Sequence, residues 1–204
     1  MAQSQLHNAK ISPSEYLARE RRAATKHEYD DGVVTAMAGA TKEHVSINVN
    51  LTIELGQQLK GSPCRIFSSD MRAKVSSSNA YRYPDLAVAC DPQFEDDVFD
   101  TLTNPVVLVE ILSPSTQALD RSKKWNQYRL LPTLQDYVLI SPSRVEVEHR
   151  HRAPDGENWF VRVLESLEDE LVLDAVNCRV ALSDIYVNIE LESEEEPTDD
   201  STAT

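Results

Sequence analysis

An acidic residue interrupts a strongly apolar stretch of the chain. Glu110 lies in the run PVVLVEIL (105–112), whose apolar residues occupy both alternating faces, as is typical of a central strand covered on both sides. A buried carboxylate destabilises a fold unless it is paired or bound to a cation. Glu110 therefore reaches solvent at the strand end, pairs with a Lys or Arg from a packed element, or binds a metal ion.

A second acidic residue stands just inside the preceding strand. Asp85 follows Pro84 and begins the run DLAVAC. A Pro-Asp pair is common in turns before strands, but neighbouring strands lie only about 4.8 Å apart. Carboxylates on two adjacent strands can share one hard cation, and Mg²⁺ is typically held by one or two carboxylates. The pair Asp85 and Glu110 predicts a magnesium site better than either residue alone.

The segment after Glu110 reads as a helix with polar residues on one face. Asp120, Lys124 and Tyr128 are each four positions apart, so they lie on the same side. Lys124 could stand beside the cation, where an ammonium group orients an attacking water or neutralises charge on a phosphoryl oxygen. The alternative is an ordinary Asp-Lys surface pair with Tyr128 in the core. Lys123, about 100° round the helix, points elsewhere.

Capping residues and turn signals predict the elements that position these side chains. The spacing of residues 12–15, SPSE, predicts a helix over about residues 13–23. Asp-Asp-Gly at 30–32 predicts a hairpin turn. Thr41 can cap a second helix, which Gly61 and Pro63 end.

Apolar spacing predicts how these elements pack. Six apolar residues of the second helix are expected to form its sheet-packed face: Val45, Val49, Ile53, Leu51, Leu55 and Leu59. Short strands follow, of which CRIFSSDMRAKV (64–75) reads as one. The strand, helix, strand order around Glu110 predicts a crossover unit. We expect an α/β fold with a mixed central sheet flanked by helices.

Composition and charge bound the domain organisation and the compartment. The 204 residues predict an N-terminal extension (1–11), one domain (12–191) and an acidic, disordered tail (192–204). The net charge of −14 argues against coating of nucleic acid, but outside residues 91–100 and 190–204 there are 22 acidic and 20 basic residues, so a local basic face is possible. Three widely spaced cysteines without CxxC, and no long apolar window, predict a cytoplasmic protein away from membranes.

Five pieces of the chain together resemble the Uma family of putative restriction endonucleases, a branch of the PD-(D/E)XK nuclease superfamily, over about residues 12–190. These pieces are HEYDDG with Glu28, the Pro84-Asp85 strand, EILSPST from Glu110, the Asp120, Lys124 and Tyr128 helix, and DYVLISP. The resemblance implies a restriction-endonuclease-like fold, with Asp85 and Glu110 as ligands of Mg²⁺ or Mn²⁺. It implies Glu28 as an acid contributed from the N-terminal part.

One position departs from the wider superfamily pattern. Two residues after Glu110, where that pattern has a lysine, this chain has Leu112. Members of the branch commonly carry the lysine on the following helix, so the resemblance makes Lys124 the replacement.

Two functions from different classes are compatible with these residues. The first is metal-dependent hydrolysis of phosphodiester bonds in DNA by a homodimer, with phosphate contacts from four basic residues: Arg21, Arg22, Arg121 and Lys123. The second is a catalytically inactive nuclease fold that acts as a DNA-binding or protein-interaction module, with Glu110 and Lys124 as a structural ion pair. The chain has no phosphate-binding glycine motif, so we expect no nucleotide cofactor.

Three histidines leave alternatives open. His44, near the start of the second helix, is either a surface residue or a neighbour of the site. His149 and His151 alternate on one strand and could face one side as metal ligands, but such a pair is more often solvated, and that is the expectation here.

Overall fold

The computed structural model describes residues 10–191. The predicted acidic tail (192–204) and most of the predicted N-terminal extension lie outside the described residues. The helices are α1 Pro13–Glu20, α2 Lys42–Gln58, α3 Gln117–Leu119, α4 Trp125–Tyr128 and α5 Leu182–Ile185. A π-helical turn, Asp120–Lys124, joins α3 to α4 without a break, and residues 117–128 are called the site helix below. Short 3₁₀ turns occupy Ser76–Ser78 and Asp174–Val176.

The strands are arranged in three sheets. Their bounds are β1 His27–Asp30, β2 Val33–Ala36, β3 Cys64–Ser68, β4 Arg72–Val75, β5 Ala80–Arg82, β6 Leu86–Cys90, β7 Thr101–Leu102, β8 Val107–Ile111, β9 Asp136–Ile140, β10 Val147–Arg152, β11 Trp159–Leu164, β12 Glu170–Leu173 and β13 Cys178–Ala181. The central sheet has six strands in the order β11-β10-β9-β8-β6-β3. A five-stranded sheet (β2-β1-β5-β4-β7) and the β12-β13 pair complete the fold.

The central sheet is mixed, as expected for the predicted α/β class. Strands β8 and β9 run parallel, whereas the other neighbouring pairs of this sheet are antiparallel. The site helix connects β8 to β9, which confirms the predicted crossover unit. The segment CRIFSSDMRAKV, predicted as one strand, is instead divided between two sheets, because the chain turns at residues 68–71 and the Met71 N–H donates to the Ser68 carbonyl (3.0 Å).

Strand alternation gives the central sheet two distinct faces. Val107, Val109 and Ile111 of β8 pack into the core beneath α2. Leu108 and the following Leu112 pack with residues of the site helix on the opposite face. Glu110 has the same parity as Leu108, so it projects toward the site helix.

Helix α2 begins as predicted, but one of its two apolar stripes is exposed. The Thr41 hydroxyl accepts the His44 N–H (3.3 Å) and caps the helix. Ile47, Leu51 and Leu55 are fully buried against the sheet, and Leu59 is nearly so. The predicted burial of Val45, Val49 and Ile53 is wrong, since each is about half exposed. These residues lie two positions, about 200°, round the helix from the Leu stripe, and one sheet face cannot cover both sides.

The Asp-Asp-Gly hairpin forms as predicted and brings Glu28 to the site. Asp31 (φ 43°) and Gly32 (φ 93°) form the two-residue turn between β1 and β2, and positive φ at both positions suits the twist of a tight hairpin. Strand β1 then pairs with β5, with Tyr29 opposite Tyr81. Glu28 is thereby brought close to Arg82, at the end of β5.

Two of the three cysteines form a disulfide, which was not expected in the predicted reducing compartment. Cys64 and Cys90 are directly opposite on the paired strands β3 and β6 and form a disulfide, whereas Cys178 is free and buried. Their 26-residue separation in sequence gave no sign of this pairing. Within residues 10–191, no helix combines the length and the apolar character that crossing a membrane requires.

Asp100 forms ion pairs with two arginines, and replacing its carboxylate should destabilise the fold in a pH-dependent way. It pairs with Arg21 (2.8 Å) and with the nearly buried Arg72, and hydrogen bonds from Arg21 lead the effects that lower the pKa of Asp100 far below the usual 3.8. A carboxyl with a depressed pKa stabilises the folded state above its unfolded pKa, and this contribution is lost as the pH falls. Asp100→Asn should therefore lower the free energy of unfolding by about 1–3 kcal/mol at pH 7.

Urea denaturation at several pH values checks this expectation. The difference between Asp100→Asn and wild type should shrink as the pH falls below about 3.8, the ordinary pKa of the side chain. A difference that is constant from pH 7 to pH 2.5 would mean that the carboxylate charge contributes nothing.

Candidate active site

Glu110 is buried beneath the site helix and makes two polar contacts through one oxygen. Only 4% of the residue is exposed. Its Oε1 accepts a hydrogen bond from Lys124 Nζ (3.1 Å) and another from the Tyr128 hydroxyl (3.0 Å). Of the alternatives that the sequence left open for Glu110, exposure at the strand end is excluded. The ion pair with a residue of a packed element is present.

The Lys124 ammonium group contacts carboxylates from three elements. Besides Glu110 on β8, its Nζ lies 3.3 Å from Glu28 Oε1 on β1 and 3.0 Å from Asp120 Oδ1 on the site helix. Lys124 and Asp120 are both buried, so the predicted alternative of a surface pair is wrong. The predicted side chains of Glu28, Glu110, Asp120, Lys124 and Tyr128 thus converge.

The site helix is widened where it meets Glu110. Residues Asp120–Lys124 form a π-helical turn, flanked by ordinary helix on both sides. Such turns are rare and frequently occur at functional sites. Asp120, Lys124 and Tyr128 nevertheless share one buried side, as their spacing predicted.

Asp85, the residue immediately before β6, is held by a side chain and a backbone group. His44 Nε2 donates to Asp85 Oδ1 (2.9 Å), and the Ile111 N–H donates to Oδ2 (2.7 Å). Leu86 is opposite Val109 in the antiparallel β6/β8 ladder. Continuing this register by one residue places Asp85 opposite Glu110. His44 is not a fully exposed surface residue, because its side chain is largely buried against Asp85.

Two residues that the sequence did not single out complete the cluster. Arg82 is nearly buried, and its guanidinium contacts Glu28 Oε2 (2.9 Å) and Asp30 Oδ2 (2.6 Å). Gln127 Oε1 accepts from Arg82 Nη2 (2.7 Å). In the sequence, Arg82 lies between Tyr81 and Tyr83, two residues before Pro84. This position was the signal that could have marked Arg82 as part of the cluster.

Negative charge is crowded at this site. Burial, followed by the charges of Asp120, Asp85 and Glu28, raises the pKa of Glu110 well above its usual value, although Lys124 opposes this shift. For Lys124, burial favours the neutral amine, but the charges of Glu110 and Glu28 outweigh it and raise the pKa. Burial is also the main reason why the pKa of Tyr128 is raised, so its hydroxyl remains a donor.

The site is rich in carboxylates, although within residues 10–191 they form no group of three ligand atoms that lie within 4.8 Å of one another. Glu28, Glu110 and Asp120 contact Lys124, and Glu28 also contacts Arg82. The charge of Asp85 acts on Glu110, but its carboxylate contacts His44 and the Ile111 N–H. Carboxylate oxygens are the protein ligands that Mg²⁺ and Mn²⁺ prefer. Glu110 uses Oε1 for both of its hydrogen bonds, and each oxygen of Asp85 has a second lone pair. Asp85 and Glu110 are therefore the residues that could hold such an ion.

Comparison with known proteins identifies the family to which this chain belongs. A family model described as putative restriction endonuclease, Uma2, matches residues 13–183. The chain belongs to the Uma2 family. An uncharacterized Synechocystis protein, slr1290 (strain ATCC 27184 / PCC 6803 / Kazusa), is 38% identical over 87% of this chain and 92% of its own length. A second protein of that strain, sll1609, is 35% identical over 76% of this chain and 87% of its own length.

A solved structure shares the fold of this Uma2 chain. It is a putative nuclease belonging to DUF820 from Anabaena variabilis ATCC 29413, with a TM-score of 0.69 over 86% of this chain and 97% of that chain. At 16% identity this likeness concerns the fold. Together with the family description, it confirms the resemblance and supports a nuclease.

The basic residues predicted to contact phosphate are largely engaged with acidic groups. Arg21 pairs with Asp96 and Asp100, Arg121 with Glu146 (2.8 Å) and Glu148 (3.2 Å), and Lys123 with Asp30. Arg22 is exposed. DNA contacts by the first three in this Uma2 protein would require exchange of these ion pairs for phosphate.

A second polar cluster lies on the other side of the central sheet. His149 is buried, and its Nε2 donates to Asp136 Oδ1 (2.7 Å), to which His151 Nδ1 also donates (2.8 Å). The expectation that both histidines are solvated is therefore wrong for His149. The sequence could not show this because the partner, Asp136, begins a neighbouring strand.

Proposed function

We propose that this Uma2 protein is a metal-dependent endonuclease that hydrolyses phosphodiester bonds in DNA. The supporting observation is the convergence of Glu28, Glu110 and Asp120 on the buried Lys124, next to the strand end that carries Asp85. Bound Mg²⁺ or Mn²⁺ would lower the pKa of an attacking water and stabilise charge on the scissile phosphate.

Side chains of the protein would hold the cation, orient the nucleophile and position these groups. Asp85 and Glu110 would hold the cation. Lys124, an ammonium group with raised pKa, would orient the nucleophile or neutralise charge on a phosphoryl oxygen. Glu28 and Asp120 fix the position of that ammonium, and His44 orients the Asp85 carboxylate through a 2.9 Å hydrogen bond.

A DNA substrate and a homodimeric assembly complete the proposal. The cytoplasmic location stays a prediction, against which the Cys64–Cys90 disulfide counts. A twofold homodimer would present two sites, one for each strand of a duplex. Because basic side chains would exchange carboxylate partners for phosphates, affinity should fall steeply as salt rises. Sedimentation of the full chain at micromolar concentration tests the dimer, and a monomer would contradict it.

The observed ion pair also supports a second candidate function. Lys124 and Glu110 are in direct contact (3.1 Å), as in a structural salt bridge of a catalytically inactive module that binds DNA or protein. The two functions differ in whether a divalent cation is needed for cleavage and whether it binds at these carboxylates.

Plasmid cleavage separates the two functions. Supercoiled DNA is incubated with the full chain in Mg²⁺, in Mn²⁺ or in chelator, alongside Asp85→Asn and a control, Asp70→Asn, whose carboxylate lies outside the site and pairs with Lys26. We expect metal-dependent nicking by wild type and the control, and its loss in Asp85→Asn. Absence of nicking under every condition, or equal nicking by Asp85→Asn, would favour the inactive module.

A further inference from the structure

Three potential metal ligands meet at one end of the pair β9-β10. Asp136 begins β9, and the β10 register places His151 directly opposite it, with His149 two residues earlier on the same side. One ligand atom from each residue lies within 4.8 Å of the other two. Asp136 shares its parity with Val138 and Ile140, which pack on the α2 face, so this cluster and Glu110 lie on opposite faces of the sheet.

The Asp136 carboxylate is incompletely satisfied by the histidines. It is fully buried, and Oδ1 accepts from both imidazoles. Its other oxygen, Oδ2, is buried and makes no hydrogen bond to any group within residues 10–191. In that part of the chain no Lys or Arg pairs with Asp136, and the nearby Arg152 donates to backbone carbonyls, including that of Leu134 (2.7 Å).

We propose that Asp136, His149 and His151 form a second metal site, which binds a divalent transition-metal ion of the Zn²⁺ class. Imidazole nitrogen suits Zn²⁺, Ni²⁺ and Co²⁺, whereas Mg²⁺ prefers oxygen ligands. The ligands would be His149 Nε2, His151 Nδ1 and an Asp136 oxygen. The ion would replace the two hydrogens that these nitrogens donate to Oδ1, and each proton would leave or move to the other ring nitrogen.

The geometry needs only a small adjustment to accept such an ion. Ligand atoms around tetrahedral zinc lie roughly 3.3 Å apart, as follows from metal–ligand bonds of about 2.0–2.1 Å. The two nitrogen–oxygen distances are 2.7 and 2.8 Å, so the side chains must separate by about half an ångström on average to reach the tetrahedral spacing. The backbone ladder that positions all three residues is unaffected by such side-chain shifts.

A cleft adjoins one of the three ligands, His151, whereas Asp136 and His149 do not line it. His151 is about one third exposed and lines a cleft of about 460 Å³, together with Gln135, Arg152 and Asp174. Three protein ligands with a fourth position open to water are typical of zinc sites that bind or activate a small ligand. A fully enclosed structural site would have four protein ligands instead.

Zinc titration of the full chain tests this site. Metal-free protein is titrated with Zn²⁺ by calorimetry in excess Mg²⁺, and Co²⁺ absorption reports on coordination by nitrogen. We expect one tight equivalent and a thermal midpoint that rises with Zn²⁺ concentration. His151→Gln, a partly exposed position, should weaken binding at least about tenfold, and His149→Gln should do the same.

Two control variants locate the bound ion. His27→Gln removes a histidine outside the cluster, one that is hydrogen-bonded to Glu20 (3.0 Å), and Asp85→Asn alters the other site. Both should keep wild-type Zn²⁺ affinity. The proposal is overturned if no stoichiometric Zn²⁺ binds, if His151→Gln binds it as tightly as wild type, or if Asp85→Asn alone abolishes binding. Should His149→Gln fail to fold, His151→Gln and the Co²⁺ spectrum still decide.

Discussion

Replacing Glu110 by Gln is expected to lower metal-dependent DNA cleavage by about 10²–10³-fold while the fold remains intact. Gln has the shape of Glu and keeps an oxygen that can accept from Tyr128 and Lys124, which lie 3.0 and 3.1 Å from Oε1. It removes the negative charge that attracts a divalent cation. Because burial raises the pKa of Glu110, loss of this charge should not destabilise the folded chain.

Glu95→Gln is the matched control for this variant. Glu95 is a partly buried carboxylate that, like Glu110, contacts a tyrosine and a lysine, since Tyr81 donates to it (2.8 Å) and Lys74 pairs with it. Its variant should cleave plasmid at the wild-type rate. Rates are measured as loss of supercoiled DNA in Mg²⁺ and in Mn²⁺, and circular dichroism checks folding. A Glu110→Gln variant as active as Glu95→Gln would remove Glu110 from the active site.

Replacing Lys124 by Met should destabilise the protein by about 3–5 kcal/mol at neutral pH and also abolish cleavage. Lys124 Nζ contacts Glu110, Glu28 and Asp120, so its loss leaves buried carboxylates without their shared cation. Met fills most of the same volume, which limits the loss of packing. Chemical denaturation measures the free energy of unfolding.

The matched control and a double variant separate charge from packing. Lys74→Met removes a more exposed lysine with one carboxylate partner and should cost about 1 kcal/mol or less. Adding Glu110→Gln to Lys124→Met should recover part of the lost stability, because one of the stranded charges is removed. Equal costs for Lys124→Met and Lys74→Met, or no recovery in the double variant, would contradict a charge-neutralising role for Lys124.

Local signals in the sequence predicted the main elements. The Thr41 cap, the Asp-Asp-Gly turn and the doubly apolar run around Glu110 each act through a few neighbouring residues, and all three predictions are confirmed. The exposed Val45 stripe was misassigned because periodicity identifies apolar faces but not which face the sheet covers.

Contacts between residues that are distant along the chain could not be predicted from the sequence. Periodicity identified Asp120, Lys124 and Tyr128 as one face, and the family resemblance supplied Glu28. The contact of His44 with Asp85 joins residues 41 positions apart, and that of Arg82 with Glu28 joins residues 54 apart. Such contacts depend on strand order and register, which distant segments determine jointly.

Location of a bound ion is the most direct test of the proposed active site. Crystals of the full chain grown with Mn²⁺ would show the ion by its anomalous scattering. We predict a peak within coordination distance, about 2.0–2.3 Å, of both Asp85 and Glu110, and no such peak in Glu110→Gln. A structure at saturating Mn²⁺ in which both carboxylates are metal-free, and in which Lys124 still contacts Glu110, would contradict the account.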